Sequence, residues 1–89
     1  MANIKSAIKR IRQNEKRRVR NAAVRSTVRT SVNGTRAAIE SGQADQARAT
    51  LLRTIQVLDK AVTKGVIHKN TAARKKSRLT RQLNALASR

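Results

Sequence analysis

Nineteen Val, Ile and Leu residues, with Met1, are all the large apolar side chains this chain can bury. The remaining apolar residues are 14 Ala, and Phe, Tyr, Trp and Cys are absent. Ordering a chain costs roughly 1–2 kcal/mol per residue. Across 89 residues, so small an aliphatic core leaves little net stability. Without cysteine, neither a disulfide nor a Cys-based metal site can add to it. The length suits one domain, 1–89, and the shortfall in stability points to a partner that binds only the folded form.

The spacing of the apolar residues predicts an all-α chain. Sustained alternation and aromatic strand formers are missing. No proline occurs, and Gly42 and Gly65 stand where a helix C-cap is expected. The reading is three helices, approximately 6–41, 44–64 and 69–87. In the second, Ala44, Ala47, Leu51, Ile55, Leu58 and Val62 recur at three- and four-residue steps and form one stripe, with Asp45 in the first turn. In the third, Ala72, Leu79, Leu83 and Leu86 share a face, and His68 or Asn70 caps its start.

The first helix is too long for the other two. At about 36 residues and 1.5 Å each it spans roughly 54 Å, so the bundle can cover only its later half. Val24, Val28, Val32 and Ile39 form one stripe. Ile4, Ile8, Ile11, Val19 and Ala22 form another, rotated by roughly a third of a turn at about 100° per residue. Residues from about 4 to 20 are therefore expected to project as an arm from a three-helix bundle over about 21–87. Asn33-Gly34 is a turn signal only between strands. A continuous helix through Gly34 is the preferred reading, with a kink as the other.

Charge specifies the partner. The chain carries 22 Lys and Arg against 4 Asp and Glu, a formal net charge of +18. Such self-repulsion opposes compaction unless a polyanion relieves it, and nucleic acid does so with release of counterions. Residues 1–31 hold net +9, residues 32–64 only +2, and residues 65–89 hold +7. The second helix thus reads as the structural member. On the arm, Lys5, Lys9, Arg12, Lys16 and Arg20 align on one face, with Arg10 and Arg17 to one side and Arg18, Arg25 and Arg29 to the other. On the third helix Arg74, Arg78 and Arg81 align, flanked by Lys75 and Lys76. Arginine suits bidentate phosphate contact. Asn21, Ser26, Thr27 and Thr30 are either added donors or ordinary helix surface. His68, with Lys69 and Asn70, is read as a cap or phosphate contact ahead of any catalytic part. Without aromatic stacking platforms, recognition is expected to follow RNA shape and phosphate geometry.

Other classes fit poorly. One histidine and four scattered carboxylates, Glu15, Glu40, Asp45 and Asp59, assemble no nucleophile–base–orienter set, and no phosphate-binding glycine loop occurs. No enzyme activity, small-molecule substrate, cofactor or metal is expected. Early apolar residues are interleaved with Lys5, Lys9, Arg10 and Arg12, and no window approaches the roughly 20 apolar residues of a membrane span. A cytosolic, soluble chain without membrane partners is expected. A basic amphipathic membrane binder lacks aromatic anchors here. The competing reading is a nucleoid-type DNA-binding protein, in which the helix after Gly65 would imitate a recognition helix.

Several segments then resemble one family. Met1-Ala2-Asn3-Ile4-Lys5-Ser6-Ala7 is similar to the N-terminus of the twentieth protein of the bacterial small ribosomal subunit. So are Asn21 with Arg25-Ser26 and Arg29-Thr30, and Ala37-Ala38-Ile39-Glu40 with Gly42. The strongest similarity is the run Lys64-Gly65-Val66-Ile67-His68-Lys69-Asn70-Thr71-Ala72-Ala73-Arg74-Lys75-Lys76-Ser77-Arg78-Leu79. The resemblance implies a three-helix bundle with a long first helix and a structural, ribosome-bound role in the cytoplasm. It implies direct binding of 16S ribosomal RNA within the small subunit, bridging its 5′ domain and the long penultimate helix. No homo-oligomer is expected. Ile8, Ile11 and Gly34 depart from the family pattern, which is more polar or basic at the first two and has a helix former at the third.

Overall fold

The computed structural model describes residues 2–88, with side chains from Ile4 to Ser88. Met1, counted above among the side chains available for burial, lies outside the described residues. Among the described residues there are three α-helices and no strand: α1 (Ala2–Glu40), α2 (Ala44–Thr63) and α3 (Lys69–Ala87).

The expected boundaries differ from these mainly at the start of α1, which begins a turn earlier than residue 6. Nothing before residue 6 is a glycine or a proline, so no residue there stops the helix. α1 runs through Gly34 without a break, which settles the kink question for the continuous helix. It ends where Gly42 takes φ +80°, with the Gly42 amide donating to the Ile39 carbonyl at 3.1 Å. α2 ends in a Schellman motif around Gly65, φ +74°. There the Gly65 amide donates to the Val62 carbonyl and the Val66 amide to the Ala61 carbonyl. At α3, His68 is the cap: its Nδ1 accepts the Asn70 amide at 3.1 Å.

The core lies at the junction of the later half of α1 with both other helices. Its buried apolar members are Val28 and Val32 from α1, Ala47, Leu51, Leu58 and Ala61 from α2, and Ala72, Leu79 and Leu83 from α3. Val24, Ile39, Ile55, Val62 and Ile67 pack partly buried around them. Two residues absent from the expected stripes are also sealed inside, Thr35 at 0% and Thr54 at 1% exposure. Their hydroxyls meet at 2.7 Å, and both also reach the Ser31 carbonyl at 3.1 Å. Each polar atom is thereby satisfied in a region otherwise made of aliphatic carbon.

Every residue from Ile4 to Arg20 is exposed. The isoleucines there remain in solvent, with Ile4 at 60%, Ile8 at 46% and Ile11 at 67% exposure. The molecule measures 68 × 21 × 13 Å with a radius of gyration of 17.9 Å, against about 12 Å for a compact chain of this length. The first helix therefore projects well beyond the helices that cover its C-terminal half.

Candidate nucleic-acid interface

The charged side chains occupy three kinds of position. On the projecting part of α1, Lys5, Lys9, Arg10, Arg12, Lys16, Arg17, Arg18 and Arg20 are all exposed. The acid in this stretch, Glu15, is already engaged: Arg18 donates to it from Nη2 at 2.7 Å and from Nε at 3.2 Å. That hydrogen-bonded carboxylate raises the Arg18 pKa above its ordinary value, and slight desolvation opposes it. The Glu15–Arg18 pair sits at i,i+3 on the helix surface. The other cations of the arm keep their full donor capacity for an anion.

The second position is the groove between α1 and α3. Arg25, Arg29 and Arg36 of α1 face Lys75 of α3 across a floor of Val28, Val32 and Ile67, with Asn33 on the rim. At the other end Ile39 and Glu40 lie beside Gln82 and Leu86. The N-terminal part of α3 thus meets the middle of α1, and its C-terminal part meets the end of α1, so the two helices run parallel. Four cations and no carboxylate line the groove beside Arg25. On the outer surface of α3, Arg74, Arg78 and Arg81 stand together around Ala73 and Ser77, as their spacing predicts.

The third position lies between α1 and α2. Arg20 shares a groove with Lys60 and Lys64, floored by Ala23, Val24, Val57 and Ala61. Lys60, Lys64 and Arg36 were not among the expected site residues. For Arg36 a signal existed, since it follows Arg25 and Arg29 on the same helical face. For Lys60 and Lys64 the four-residue step shows a shared face but not which helix that face meets.

Some expected site residues are placed differently from their neighbours. Lys76 is half-buried and pairs with Asp59, tying α3 to α2. Lys75 is half-buried, with its place in the α1–α3 groove. His68, Lys69 and Asn70 are exposed at the start of α3. With Nδ1 of His68 occupied as an acceptor, Nε2 is the ring atom left to face an outside group. Among the described residues no cluster of His, Asp and Glu is arranged to hold a metal ion, and no helix is long and apolar enough to cross a membrane.

The family model described as ribosomal protein S20 matches residues 2–84. The chain belongs to the ribosomal protein S20 family. It is 57% identical to small ribosomal subunit protein bS20 of Mycobacterium sp. strain JLS, over 97% of this chain and 100% of that protein. Identity to bS20 of Geobacter sulfurreducens is 54%, over 97% of this chain and 99% of the relative. The bS20 of Halalkalibacterium halodurans is 51% identical over 98% and 96% of the two chains. Membership of the S20 family makes this chain a ribosomal protein, a structural kind of protein. The residues that the S20 model spans include every basic surface described here: the arm, both grooves and the face of α3.

Proposed function

We propose that this chain binds small-subunit ribosomal RNA directly, through phosphate contacts, and holds together the RNA segments it touches as the subunit assembles. The observation that carries this reading is the arm. Residues 4–20 are exposed on every side and hold eight cations, with Glu15 as their one acid. A helix with nothing packed on it gains little by being so charged unless a polyanion surrounds it. The exposed Arg74, Arg78 and Arg81 supply a second surface on a parallel helix. The relatives' names place those proteins in the small ribosomal subunit, and the same location, in the bacterial cytoplasm, is proposed here.

The proposed contacts on the arm are Lys5, Lys9, Arg10, Arg12, Lys16, Arg17 and Arg20. Arg25, Arg29 and Lys75 act in the α1–α3 groove, and His68, Lys69, Asn70, Arg74, Arg78 and Arg81 on α3. Arg18 and Lys76 contribute less, because each already has a carboxylate partner. With no aromatic residue to stack on bases, selectivity comes from the shape of folded RNA. The chain acts as a single copy, since two copies would bring together net charges of +18. Competition tests this. At moderate salt, folded small-subunit RNA is expected to displace duplex DNA at equal nucleotide concentration. Preference for the duplex would instead favour a nucleoid-type DNA binder.

A further inference from the structure

The groove between α1 and α2 lies outside the surfaces assigned above. It belongs to a helix whose charge is nearly balanced, so its sequence gives little reason to look there. The structure brings three cations to one place: Arg20 of α1 on one wall, and Lys60 of α2 with Lys64, the residue that caps α2, on the other. The floor is aliphatic, made by Val24, Val57 and Ala61. No carboxylate lines it, and Asp59, the acid next to Lys60, pairs instead with Lys76 of α3. The local positive charge is therefore not neutralised within the chain.

The position of Arg20 adds direction. It is the last of the five cations, Lys5, Lys9, Arg12, Lys16 and Arg20, that align along one face of the arm. On a continuous helix that face passes directly into Thr27 and the α1–α2 groove, at about 100° per residue. Arg25, Arg29 and Arg36 point the opposite way, into the α1–α3 groove. Positive charge thus forms a track that starts on the free arm and ends between Lys60 and Lys64.

We propose that the α1–α2 groove is a further RNA site that takes one ribose–phosphate strand, the same strand that follows this face of the arm. The aliphatic floor receives the sugars, while Arg20, Lys60 and Lys64 at the rim meet the phosphates. α2 is then a binding element as well as a structural one. This rests on the proposed binding of small-subunit RNA, and it fixes which strand goes where.

The absence of cysteine permits a clean test. Single variants Lys9→Cys, Thr27→Cys and Asn33→Cys each carry a tethered iron chelate, and hydroxyl-radical cleavage of bound small-subunit RNA is mapped. Probes at positions 9 and 27 are expected to cut two stretches of one strand a few nucleotides apart, matching the roughly 27 Å between the probes along the helix, and the probe at position 33 to cut elsewhere. In parallel, Lys60→Gln with Lys64→Gln is expected to flatten the plot of log affinity against log salt by about 0.7–0.9 for each phosphate no longer neutralised. Circular dichroism confirms that these exposed substitutions leave the fold intact. Unchanged salt dependence, or no cleavage from position 27, would overturn the α1–α2 site while leaving RNA binding itself standing. If the unmodified protein does not prefer this RNA, the underlying reading fails instead.

Discussion

At the scale of single residues, the Thr35–Thr54 pair is the least expected part of the core. Both sit in register with the apolar stripes, Thr35 between Val32 and Ile39 and Thr54 between Leu51 and Leu58. Their polarity conceals them in the sequence, because a threonine at a seam position reads equally as surface. Only packing shows that each hydroxyl finds a partner, with Thr54 also reaching the Thr50 carbonyl at 3.0 Å. A single Thr54→Val change leaves Thr35 with one bond fewer and is expected to cost about 1 kcal/mol in urea unfolding. Thr35→Val should do the same. The double variant should cost clearly less than the sum, because it removes both polar groups together. Strict additivity would show that the two hydroxyls are not coupled.

Among the helices, α1 carries opposite lessons at its two ends. Gly34 lies in the helix interior with nothing within 4 Å of a methyl group placed on it. Gly34→Ala should therefore raise stability by about 0.5–1 kcal/mol, read as a higher denaturation midpoint. Gly65→Ala should lower it by about 1–2 kcal/mol, because the left-handed φ of +74° disfavours any side chain. At the other end of α1, the pairs Lys5/Lys9, Arg12/Lys16 and Lys16/Arg20 stand at i,i+4 and oppose the helix by about 0.2–0.5 kcal/mol each. The one ion pair on the arm, Glu15–Arg18, offsets only part of this. Helical circular dichroism is therefore expected to grow when RNA is added. A signal that RNA leaves unchanged would show an arm already fully helical when free. The helix limits were legible because Gly42, Gly65 and the aliphatic periodicity mark them. The start of α1 was not, since Ala2 and Asn3 carry neither stripe nor breaker.

For the molecule as a whole, the placement of charge was largely legible in the sequence, and its grouping was not. The arm and the arginine face of α3 follow from spacing within single helices. Both grooves depend on which helix meets which, so Arg36 appears beside Lys75, and Arg20 beside Lys60 and Lys64, only once the bundle is built. Asp59 likewise withdraws Lys76 from the surface charge by pairing across two helices. Replacing Arg74, Arg78 and Arg81 with Gln tests the α3 face in isolation. Binding should weaken, and the salt dependence should flatten by about one unit for each phosphate that the variant no longer reaches. An unchanged slope would show that this face does not meet the RNA backbone.

The bare arm also sets the fate of a copy without a binding partner. Its lysines and arginines are the bonds that trypsin-like proteases cut, and no packing shields them. Brief trypsin treatment of the free protein should remove the first twenty residues before the bundle is cut, and bound RNA should prevent this. Surplus chains would then be trimmed into a form without the arm's cations, so that surviving intact protein tracks the supply of its binding partner.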